Sequence, residues 1–84
     1  MKEKSVRDNY VIRKVFVKTK RCFSGEYKGH KIDISRDAEN DDWYIIVECI
    51  KTGTYGYDGW WRNSEFENID AAIEEALKGS KLIS

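Results

Sequence analysis

The sequence predicts an α+β domain: an antiparallel β-meander of three to four strands, followed by one C-terminal amphipathic helix packed on one face. Two observations carry this. Between residues 10 and 61, segments rich in β-branched and aromatic residues alternate with stretches of turn chemistry. After residue 68 the apolar period changes from two to that of a helix. With 84 residues the chain has room for one core, so a single domain over 1–84 is expected.

Residues 1–9 are polar and charged and are expected to form a disordered tail, with the sheet spanning 10–61 and the helix 68–78. Tyr10 to Lys18 (YVIRKVFVK) reads as the first strand, its parity ambiguous. Alternation places Val11, Arg13, Val15 and Val17 on one side, and Tyr10, Ile12, Lys14, Phe16 and Lys18 on the other. Residues 19–25 (TKRCFSG) read as a connection. A second strand is expected from Glu26 to Ser35, with Ile32 and Ile34 facing inward and Gly29 marking a bulge or bend. Arg36 to Asp42 (RDAENDD) has turn composition.

Trp43 to Ile50 (WYIIVECI) is the strongest strand. Trp43, Ile45, Val47 and Cys49 line one face, and Tyr44, Ile46, Glu48 and Ile50 the other. Three apolar residues on that second face imply a central strand whose outer side is also partly covered, by this chain or else by a partner. A tight turn at 51–53 leads into Thr54 to Trp61 (TYGYDGWW), where Tyr55, Tyr57, Gly59 and Trp61 share one parity. Trp60 shares the other with Thr54, Gly56 and Asp58, a polar side on which Trp60 is expected to be exposed. The Asp58–Gly59 pair is a candidate end for this strand. Residues 62–67 read as a loop.

The helix is the best-marked element. Asn68 is a suitable N-cap, Asp70 lies in the first turn, Lys78 in the last, and Gly79 is placed for a left-handed C-cap. Ile69, Ala72, Ile73, Ala76 and Leu77 form one apolar stripe. Ile69, Ile73, Ala76 and Leu77 are expected to pack on Ile32, Ile34 and one face of strand 43–50.

Composition bounds the function. A mean hydropathy of −0.69 and 36% charged residues argue against a membrane-spanning segment. The charged start has no apolar stretch of signal-peptide type behind it, so the cytoplasm is the expected compartment, with Cys22 and Cys49 as reduced thiols. Net charge is zero, but residues 1–31 carry a balance of +7 and residues 32–84 one of −7. Such a division can mark two charged binding faces, or strands that neutralise each other in the sheet.

Catalysis and metal binding are not expected. The single histidine, His30, has Cys22 as its nearest cysteine in the sequence, a weak basis for a nucleophile and its base. Cys22, His30 and Cys49 lack zinc-ligand spacing. The acidic turn at 37–42 lacks the pattern of a calcium loop, and no phosphate-binding glycine loop is present. No cofactor is expected. Two surfaces remain as candidate partner sites. One is aromatic: Tyr55, Tyr57, Trp60 and Trp61 belong to a run of seven aromatics within 43–66. The other is basic: Arg13, Lys14, Lys18, Lys20 and Arg21, with Lys14 and Lys18 expected on one strand face.

The segments WYIIV (43–47), TYGYDGWW (54–61) and AAIEEALKG (71–79) resemble small uncharacterised proteins encoded in phages and integrated mobile elements. The resemblance covers about residues 26–82 and leaves out the basic N-terminal strand. It brings no catalytic residues. What it implies is context: short phage accessory proteins, anti-CRISPR proteins among them, often inhibit host defence enzymes by occupying a surface. The expected function is therefore a non-enzymatic binding module in the host cytoplasm, acting on a protein or protein–nucleic-acid complex. Direct nucleic-acid binding is the alternative, and a homodimer is compatible with either.

Overall fold

The computed structural model describes residues 11–38, 42–62 and 68–83. The tail expected at 1–9, most of the loop at 62–67 and the middle of the 36–42 turn lie outside them. Five strands precede the helix: β1 (Lys14–Lys18), β2 (Cys22–Tyr27), β3 (His30–Ser35), β4 (Trp43–Cys49) and β5 (Tyr55–Trp61), then α1 (Ile69–Gly79). They form one antiparallel sheet in the order β1-β2-β3-β4-β5, a meander in which each strand pairs with its sequence neighbours. No helix among the described residues is long and apolar enough to cross a membrane.

The strand count exceeds the expected three to four because residues 22–35 make a hairpin. Lys28 and Gly29 both adopt left-handed backbone, with φ of 50° and 75°. Two consecutive positive φ values give the turn whose twist matches the flanking strands. Glycine reaches that conformation freely, whereas lysine rarely does, which hides this hairpin from sequence. Gly29 is thus a turn residue rather than a bulge. Cys22 to Gly25 belong to β2 rather than to a connection, with Phe23 buried. β1 begins at Lys14, and the Asp58–Gly59 pair lies within β5 instead of ending it.

Alternation buries one face. Phe23, Ile32, Ile34, Trp43, Ile45 and Val47 meet Ile69, Ala72, Ile73, Ala76 and Leu77 in one core, as the two apolar patterns require. Asn68 caps α1, its side chain accepting from the Ala71 N–H at 3.0 Å. The C-terminus differs from expectation. Gly79 is the last helical residue, and the left-handed residue is Lys81 (φ 65°). The Leu82 N–H donates to the Leu77 carbonyl at 2.9 Å and the Lys81 N–H to the Lys78 carbonyl at 3.0 Å. This is a Schellman cap, two residues beyond Gly79. Gly79 has another reason to be glycine: a Cβ there would run into the Tyr57 ring.

Both edge strands carry a bulge. In β1, Val15 pairs with Gly25 and Val17 with Ser24, leaving Phe16 extra. In β5, Tyr57 pairs with Val47 and Tyr55 with Glu48, leaving Gly56 extra. Each bulge reverses the parity of the residues beyond it.

Candidate docking face on the open side of the sheet

The helix covers one side of the sheet, so the other side presents its side chains outward. The registers align them in rows. One row runs Val17, Ser24, Asp33, Ile46 and Asp58; a second runs Cys22, Ser35, Tyr44 and Trp60. A third carries Lys14, Glu26, Lys31, Glu48 and Tyr55. Where the first two rows adjoin, Ile46, Tyr44 and Trp60 make an apolar and aromatic centre. Trp60 is 68% exposed, the expected orientation for that residue. Its ring lies 4.8 Å from that of Tyr44, tilted by 40°. The Tyr44 hydroxyl donates to Asp58 Oδ1 at 2.9 Å, and that bond, with lesser contributions from burial and nearby charge, holds its pKa above the usual tyrosine value. A depression of about 310 Å³ beside Trp60 and Tyr44 is lined by Ser35, Arg36, Asp37 and Asp42 as well.

The aromatic candidates therefore divide. Trp60 and Tyr55 are exposed, and Tyr55 shares the open face with Glu48 because of the Gly56 bulge. Simple alternation had grouped it with Tyr57 and Trp61. Those two are half-buried against the core. The Tyr57 hydroxyl donates to Glu75 Oε2 at 2.8 Å, and burial, aided by that carboxylate, pushes its pKa up to about 12. Tyr57 is thus a strut between sheet and helix.

The basic candidates are dispersed. Lys14 stands opposite Glu26, 3.6 Å from its carboxylate. Lys18 lies on the helix side, 2.8 Å from Asp70, because the Phe16 bulge flips it away from Lys14. The shared basic face expected for these two lysines is not formed. Arg21 follows Lys20 in the β1–β2 connection and donates from Nη1 to the Asp37 carbonyl. Arg13 and Lys20 are exposed.

Other chemistry-bearing groups are spread out. Cys22 and His30 sit at opposite ends of the β2–β3 hairpin, roughly 17 Å apart at 3.3 Å per residue. His30 pairs in register with Cys49. The Thr52 hydroxyl and neighbouring backbone N–H groups hold the Cys49 thiol below its usual pKa. Among the described residues, no group of three or more His, Cys, Asp or Glu side chains is placed to hold a metal ion.

Sequence reasoning left Tyr44, Ile46, Val17, Asp33 and Asp58 outside the candidate site. For two of them a signal existed: Tyr44 and Ile46 are apolar on the second face of β4, the pattern that called for a cover on that side. Comparison with protein-family models, with curated proteins and with solved structures finds no match for this chain.

Proposed function

We propose that this protein is a non-enzymatic binding module, an accessory protein of phage or mobile-element origin that modulates a host defence complex by occupying its surface in the host cytoplasm. The observation that carries the reading is Trp60, 68% exposed on a sheet face that no described element covers. A large aromatic held on a rigid strand beside Tyr44, with Ile46 and Tyr55 on the same face, has the composition of a protein-binding hot spot.

Direct nucleic-acid binding draws less support. Lys18 and Arg21 are engaged within the fold, and Lys14 faces a carboxylate. Phosphate binding needs cations free to release condensed counterions, gathered on one surface.

The test compares the parent protein with Trp60→Ala as bait in lysate of a bacterial host. The parent is expected to retain a discrete partner, with Trp60→Ala weakening that interaction by ~2 kcal/mol or more while the melting midpoint stays close to the parent value. Partner binding unchanged by Trp60→Ala would end the reading, as would sub-micromolar binding of an oligonucleotide at physiological salt.

A further inference from the structure

The charge on the open face narrows the chemistry of what docks there. Its described strand side chains include four carboxylates, Glu26, Asp33, Glu48 and Asp58, against the two lysines Lys14 and Lys31. Asp33 and Asp58 flank Ile46 in one row, and Trp60 lies two residues beyond Asp58 on the same strand and face. A flat aromatic ring with a carboxylate at its margin suits a planar cation. We propose that this face receives arginine side chains from a basic segment of a protein partner, the guanidinium stacking on the Trp60–Tyr44 pair and bonding to the Asp58 carboxylate. The proposal rests on the reading of this face as a docking surface and adds the nature of the occupant.

Arginine is favoured over lysine because its guanidinium stacks on aromatic faces and pairs with a carboxylate through two parallel bonds. A lysine ammonium is more strongly hydrated and does neither as well. The molecule already uses this contact internally, with the Arg36 guanidinium 4.0 Å over the Trp43 ring. Two rival occupants fit less well. Lys14 and Lys31 lie within 4.0 Å of Glu26 and Asp33 respectively, so four carboxylates against two lysines leave this face a net negative charge. A phosphate backbone would meet that charge, and a second copy of this chain would bring two faces of the same net sign together.

The experiment follows the Trp60 indole N–H resonance of the isotope-labelled protein during titration with two octapeptides, one alternating glycine with arginine and one alternating glycine with lysine. The arginine peptide is expected to move that resonance and to bind about tenfold more tightly than the lysine peptide. Asp58→Asn is expected to weaken it about tenfold, and Trp60→Ala, followed through the backbone amide resonances of Tyr44 and Asp58, to weaken it about as much; Asn can still accept the Tyr44 hydroxyl bond. Glu74→Gln, which removes one negative charge from the helix, should leave the affinity within about twofold of the parent. Equal binding of the two peptides, or indifference to Asp58→Asn, would overturn the arginine site. If the arginine peptide does not bind while Trp60→Ala still abolishes capture of a lysate partner, the docking face stands and its arginine chemistry falls. If the variant has no effect on capture either, both fall.

Discussion

The two faces of this sheet are built from the same strands and differ in what alternation gives each. On the covered side Ile32, Ile34, Ile45 and Val47 stand in adjacent strands under Ile73, Ala76 and Leu77, with no charged side chain among the described residues that are buried. On the open side the intervening positions mix Ile46, Tyr44 and Trp60 with lysines and carboxylates. The covered face obtains its stability from apolar area removed from water. The open face has no fully buried residue in its rows and keeps Trp60 and Tyr55 exposed, with Tyr44 half-buried. A sheet can therefore assign folding to one side and recognition to the other, and substitutions on the two sides should differ in kind.

The largest effect belongs to the covered face. Ile73→Asp would place an unpaired charge in the core and is expected to cost ~4 kcal/mol or more, enough to unfold a domain of this size. Loss of cooperative thermal unfolding by circular dichroism is the expected result; an unchanged melting curve would show that the helix is not docked on the sheet.

Next comes the margin of the covered face, where Gly79 meets Tyr57. Glycine-to-alanine substitutions in helices usually stabilise by ~0.5–1 kcal/mol. Here the added Cβ runs into the Tyr57 ring, so Gly79→Ala is expected to cost ~1–3 kcal/mol in urea denaturation. In a Tyr57→Ala background the sign should reverse.

Tyr57 also gives the covered face a dependence on alkaline pH. Its phenol titrates near 10.0 when exposed and at about 12 in the fold, mainly because burial disfavours the phenolate. The folded chain therefore holds this proton longer than the unfolded chain. The stability that follows is complete below about pH 10 and is lost as pH rises toward 12. Tyr57→Phe should flatten the fall in melting temperature over that interval, at a cost of ~1 kcal/mol near neutral pH from the lost bond to Glu75. A parallel fall in both proteins would refute the assignment.

The smallest stability effect belongs to the open face. Trp60→Ala loses an exposed ring and its contact with Tyr44, so its unfolding free energy should stay within ~1 kcal/mol of the parent. A larger loss by chemical denaturation would erase the distinction between the faces.

The covered face was legible in the sequence and the open face only in part, for a physical reason. Apolar alternation in WYIIV and the helical stripe from Ile69 to Leu77 each identify a buried side without knowledge of pairing. The orientation of Trp60 followed from its polar strand neighbours. Residues that lie across a bulge or a turn could not be read this way. Tyr55 and Lys18 each lie beyond one inserted residue, at Gly56 and Phe16, and parity counted along the chain assigns them to the wrong side. The Lys28–Gly29 turn lacks the Asn-Gly signal that announces such hairpins, so one strand was expected where two exist. The centre of the open face needs two strands in register, since Tyr44 and Trp60 are 16 residues apart in sequence and adjacent only across β4 and β5.

The two bulges have a consequence for how chains meet one another. They fall on β1 and β5, the two margins of the sheet, while β2, β3 and β4 pair without interruption. A strand arriving from another molecule needs evenly spaced amides and carbonyls to pair with, and a bulge breaks that spacing and increases the local twist. β1 presents Val15, Phe16 and Val17, three consecutive exposed apolar residues that would otherwise invite such pairing, and Lys14 and Lys18 bracket them with charge. The interruptions that hid two side chains from the sequence reading thus also make each margin a poor template for fibre growth.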